Sequence, residues 1–106
     1  MSDTKEFIFD YMRKNLGLSE VDIEDIFKTF LECAEEYIVQ AKSQLASEDW
    51  SALTRLGHTI KGAAANIGAN HLSLTGKELQ EAANSKSTEL IKEKISRLET
   101  ILEGLR

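Results

Sequence analysis

Apolar residues recur at helical spacing along most of the chain, and no proline interrupts them. Ile23, Ile26, Phe27, Phe30, Leu31, Ala34, Ile38, Ala41 and Leu45 fall three or four positions apart and form one continuous stripe. A helix interior excludes proline at a cost of ~3 kcal/mol, so a proline-free chain keeps long helices open to it. Valine occurs only at Val21 and Val39, while Ala, Leu, Glu and Lys dominate, which leaves few strand formers. A spine helix is expected from about Glu20 to Ala46. Ser19 is its natural N-cap, and Glu20, Asp22, Glu24 and Asp25 put negative charge at the positive end of its dipole.

Three further helices follow. Trp50, Leu53, Leu56, Gly57, Ile60, Ala64 and Ile67 share a face, with Asp49 as cap and Gly68 as the stop. Asn70 is the expected cap of the next helix, whose Leu72, Leu79, Ala82 and Ala83 give a weaker stripe. A polar stretch from Asn84 to Ser87 then leads to Ile91, Ile95, Leu98, Leu102 and Leu105. Ahead of the spine, Phe7, Ile8, Tyr11 and Met12 predict a short helix over about 4–14, closing near Gly17. Short connections make consecutive helices antiparallel. The expected fold is all-α: an up-down four-helix bundle over about 19–105 with the short N-terminal helix as a lid, in a single domain.

Composition removes several classes of function. A net charge of −5 disfavours nucleic acid and anionic membrane as partners, since both need basic patches. No apolar run approaches the ~20 residues of a membrane span, and the start of the chain lacks the apolar core of a signal peptide. The single cysteine, Cys33, cannot form an internal disulfide and points to a reducing, cytoplasmic setting; beside the spine's stripe, it reads as core. Nothing in the pattern requires an oligomer.

The third helix carries the candidate chemistry. On a wheel of about 100° per residue with Leu53 at zero, Leu56, Ile60, Ala64 and Ile67 lie within roughly 60° and define the buried side. His58 falls at about 140°, Gly62 at about 180°, Ala65 at about 120° and Lys61 at about 80°. A solvent face ordinarily carries Glu, Lys and Gln, yet small residues surround His58. Glycine in a helix interior costs ~1 kcal/mol relative to alanine, so Gly62 suggests that another backbone must come close. Thr54, Arg55, Ala65 and Asn66 lie around this face as a candidate docking rim.

The stretch His58-Thr59-Ile60-Lys61-Gly62-Ala63-Ala64-Ala65-Asn66-Ile67-Gly68-Ala69 resembles the signature of histidine-containing phosphotransfer (HPt) domains, which reads His-x-x-Lys-Gly, small residues, then a hydrophobic-Gly pair. The similarity continues through Leu72, Gly76, Leu79 and Gln80. Gly57 stands where alanine is common and could loosen the helix beside the histidine; Gln80 replaces the usual acid. The resemblance implies that His58 accepts a phosphoryl group from a receiver-domain aspartate and passes it to another, with Lys61 pairing the phosphoryl oxygens. It further implies no resident cofactor and no ATP site, with Mg²⁺ held by the receiver. The implied partners are response-regulator receivers, and a hybrid histidine kinase in the same pathway.

Other chemistries find little support. The residue three before His58 is Arg55 and that before His71 is Gly68, so the Glu-x-x-His pair of di-iron bundles is absent. Lys61 precedes Gly62, the reverse of a P-loop. His71 reads as a surface residue, and Glu32, Glu35 and Glu36 as a solvated face. A helical adaptor, or a degenerate relative that docks a receiver without accepting phosphate, remains the alternative reading. Charge is also uneven: Trp50 to Lys77 contains no Asp or Glu, whereas Arg55, Lys61 and Lys77 give it +3. The histidine thus lies in a segment free of the carboxylates that would repel a phosphoryl group.

Overall fold

In a computed structural model describing residues 3–106, five helices succeed one another: α1 (Lys5–Leu16), α2 (Glu20–Ala46), α3 (Trp50–Asn66), α4 (Asn70–Asn84) and α5 (Thr88–Leu105). The described residues contain no strand. The 27 residues of α2 give about 40 Å at 1.5 Å per residue, which matches the 42 Å long dimension of the molecule. Each helix from α2 to α5 packs on its neighbours in the ring, with α2 also against α5. Cross-helix pairs give the directions. Lys42 meets Glu99 and Arg106 meets Glu35, so α2 and α5 run antiparallel. The α3–α4 contact, where Gly57 faces Gln80 and Lys61 faces Ser73, is antiparallel as well.

Local chemistry sets the ends. Ser19 and Asp49 accept from the amides of Asp22 and Ala52, as N-caps should. Gly68 closes α3 with φ 78°, and the Ala69 N–H reaches back to the Ala64 carbonyl at 2.9 Å. The core is what the helical period selects: Ile23, Phe27, Ala34, Ile38 and Ala41 from α2, Leu53, Leu56, Ile60 and Ala64 from α3, Leu72 and Leu79 from α4, and the full set Ile91–Leu105 from α5. Leu53, Leu79, Ile91, Leu98 and Leu102 are among the largest fully buried side chains, and each is worth about 1.5–3 kcal/mol of burial.

Five expectations are corrected. The spine's stripe is narrower than nine residues: Ile26 is 38% exposed, while Phe30, Leu31 and Leu45 are half-buried, because α2 contacts only α3 and α5 along most of its length. Cys33 is exposed rather than core. Asn70 does not cap α4. It is the first helical residue, the cap position is Ala69, and the free amides of His71 and Leu72 donate instead to the Asp3 carboxylate at 2.8 and 2.9 Å. That contact leaves His71 half-buried, not a plain surface residue.

The fifth correction concerns Gly57, expected to loosen α3. A Cβ there would lie 2.6 Å from the Gln80 nitrogen and 2.8 Å from the Gly76 oxygen. Its hydrogen therefore permits the close approach of α4.

The N-terminal helix runs to Leu16, closed by Gly17 in the left-handed conformation. It buries Ile8 and Met12 completely and leaves Phe7 exposed. Phe9 meets Phe27 edge to face with centroids 5.2 Å apart, Arg13 forks onto Glu20, and the Tyr11 ring lies against Gly68. α1 thus covers the end of the bundle where α2 begins and α3 turns into α4.

Candidate functional site

His58 stands near the middle of α3 with its side chain in solvent, while Leu56, Gly57 and Ile60 beside it are buried. Among the described residues, nothing hydrogen-bonds to its ring. A neutral imidazole carries a free lone pair on one of its two ring nitrogens. The position is fixed from below: α3 is clamped along its inner face, so an exposed ring rides on a rigid backbone.

That clamp extends to Lys61, three residues on. The Ser73 hydroxyl of α4 donates to the Lys61 carbonyl at 3.0 Å, and a Cβ on Gly76 would lie only 2.7 Å from the Lys61 nitrogen. Lys61 is half-buried, so its stem lies along protein while the ammonium can reach outward. Among the described residues it makes no ion pair. Residues three apart on a helix are surface neighbours, about 5–6 Å between Cβ atoms, which puts a cation beside the His58 ring.

Gly62 is exposed, and a Cβ built on it meets nothing within 4 Å. The contrast with Gly57 and Gly76 is direct: those two are demanded by packing, whereas nothing within the fold requires Gly62. Ala65 and Asn66 are exposed on the same side. Arg55 is exposed with its guanidinium donating to Ser51 Oγ at 2.9 Å. Thr54 is half-buried and its hydroxyl is engaged by the Trp50 carbonyl at 2.8 Å, so it offers less polar capacity than its wheel position suggests.

The carboxylate-free stretch Trp50–Lys77 comprises all of α3 and the first half of α4. Glu78, the first acid after it, approaches Lys94 of α5 at 3.6 Å. No group of three or more His, Cys, Asp and Glu among the described residues could hold a metal ion. What the arrangement can do chemically is offer a nucleophilic ring nitrogen, a neighbouring cation and a flat, small-residue approach. Sequence reasoning missed Ser73 and Asp3, both polar residues whose partners lie in other helices, where no local spacing marks them.

The family model described as Hpt domain matches residues 25–106. The match takes in α3, α4, α5 and most of α2, and leaves α1 outside. Neither the curated proteins nor the solved structures give a match.

Proposed function

This chain belongs to the Hpt domain family, whose members carry phosphoryl groups in two-component signalling and interact with receiver domains, and on that basis we propose that His58 is its phosphoacceptor. One observation carries the reading: His58 is solvent-exposed on α3, one turn from Lys61, which makes no ion pair among the described residues, and beside the open Gly62.

The step follows from the residue types. A lone pair on an imidazole nitrogen of His58 attacks the phosphorus of a receiver's aspartyl phosphate. The N–P bond forms as the acyl P–O bond breaks, and the aspartate leaves as a carboxylate. The other ring nitrogen keeps its proton, so the product is a phosphohistidine. The reverse step, with the carboxylate of a second receiver as nucleophile, returns the group and regenerates neutral imidazole. Charge on the transferring oxygens is met by Lys61 as a mobile point charge, together with Mg²⁺ held by the receiver. Such transfer depends mainly on positioning and electrostatic stabilisation, so the chain needs no nucleotide site for it.

Gly62, Ala65 and Asn66, with Arg55 and Thr54 at the other end, form the surface on which the receiver rests. A receiver phosphorylated in the presence of Mg²⁺ should transfer label to this protein, and the label should be acid-labile and alkali-stable. Binding without label would instead favour an adaptor that docks receivers without accepting phosphate. No helix of the described residues is long and apolar enough to cross a membrane.

A further inference from the structure

A cleft of about 280 Å³ opens on the outer side of the α3–α4 pair, at the end nearer the α3 N-terminus. Trp50, Thr54 and Arg55 line it from α3, and Ala83, Asn84 and Lys86 from the end of α4. Arg55 precedes His58 by three residues, so the cleft begins about one helical turn, roughly 5 Å, from the phosphoacceptor. It is thus continuous with the docking surface proposed above.

Its chemistry differs from that of the other open grooves. The groove between α2 and α5 carries Glu35, Glu99 and Glu103 against Lys42 and Arg106, and these charges already pair with one another. A second groove, on the far side of Trp50, includes Glu48. The α3–α4 cleft has no carboxylate in its lining, and among the described residues neither Arg55 nor Lys86 makes an ion pair. Trp50 and Arg55 are of the residue types enriched at protein interfaces, and Lys86 adds a second cation at the rim.

Lys86 adds an independent observation. Its φ is 55°, the left-handed conformation, at the position after α4 where helices ordinarily place glycine. Its N–H closes onto Ala83 and the next onto Ala82, so the backbone form is imposed by the helix end. An L-residue is strained in that conformation, where glycine is not. Glu48 ends α2 in the same conformation, φ 54°, and puts an acid on the neighbouring groove, whereas Lys86 puts a cation at the edge of this cleft.

We infer that this cleft receives a carboxylate-bearing segment bordering the phosphorylation site of the receiver, and that Arg55 and Lys86 help select which receiver docks. Opposite charge at an interface rim acts mainly on encounter and partner choice. The inference rests on the proposed role of His58, and the two can fail separately.

Phosphoramidate, which phosphorylates histidine without any receiver, tests His58 alone. Failure of both phosphoramidate and phosphorylated receivers to label the protein would overturn the phosphoacceptor reading, and this inference with it. With a receiver that does label the wild type, transfer is measured for Lys86→Gly and for Arg55→Ala as a function of receiver concentration and salt. Each substitution should raise KM at least fivefold at low salt, with most of the change in KM and little in kcat, and should flatten the rise of KM with salt. Lys86→Gly should do so while raising the thermal midpoint, which a purely structural role for Lys86 would not produce. Unchanged KM and salt dependence in both variants would overturn the inference.

Discussion

Gly57 and Gly76 face each other across the α3–α4 contact, each occupying space where the other's backbone leaves room for hydrogen only. A Cβ on Gly57 would lie 2.8 Å from the Gly76 oxygen, and one on Gly76 would lie 3.0 Å from the Gly57 oxygen. The pair sets how close α4 comes to the helix carrying His58. Alanine at either position gains ~1 kcal/mol of helix propensity but must push two backbones apart, an overpacking cost of ~1–3 kcal/mol or more. Gly57→Ala and Gly76→Ala should therefore each lower the urea midpoint. An unchanged or higher midpoint would show that the contact opens freely.

Gly62 should behave in the opposite way. Nothing lies within 4 Å of its would-be Cβ, so Gly62→Ala should stabilise the fold by ~1 kcal/mol. Gly62→Gln should also keep or raise stability, yet slow phosphotransfer from a receiver through obstruction of its approach. Unaltered transfer kinetics in Gly62→Gln would remove the close-approach role.

Asp3 is the cap that α4 lacks locally. Its carboxylate takes two amides in a half-buried site, 68 and 69 residues away in sequence. Asp3→Ala should cost ~1–2 kcal/mol and speed hydrogen exchange at the His71 and Leu72 amides. Exchange unchanged at those two positions would show that the contact is not kept in solution.

Acid should loosen the docking of α1. The fork from Arg13 holds the Glu20 carboxyl below its ordinary value of 4.5. A carboxylate with a lowered folded pKa contributes stability that is full above the unfolded pKa and is lost as pH falls through the folded one. Docking of α1 should thus weaken below about pH 4.5, and less steeply in Glu20→Gln. Both groups are exposed, so the effect should be small and salt-sensitive. Amide chemical shifts of α1 followed from pH 6 to pH 3 provide the measurement.

Much of this architecture was legible because its signals are local. The intervals among Ile91, Ile95, Leu98, Leu102 and Leu105 needed nothing but the helical period, and all five are buried. Ser19 and Asp49 cap helices that begin one residue later. The exposed face around His58 could be drawn on a wheel because α3 is one uninterrupted helix whose inner side is strongly apolar.

What escaped was set by contacts between helices. Ile26 has the right spacing, yet the packing of the neighbouring helices leaves it exposed. Asn70 has the right chemistry for a cap, but Asp3 reaches the amides first. Gly57, Gly62 and Gly76 are alike in sequence; only the packing of α4 separates two structural glycines from an unconstrained one.

The decisive measurement compares wild type with His58→Gln after incubation with a phosphorylated receiver and Mg²⁺. Because His58 is exposed, the substitution should leave stability within about 0.5 kcal/mol and preserve receiver binding. Wild type should gain one acid-labile, alkali-stable phosphoryl group, seen as a phosphohistidine resonance in ³¹P spectra, and the variant none. A variant that still gains the label, or a wild type that binds phosphorylated receivers and never gains it, would contradict the assignment.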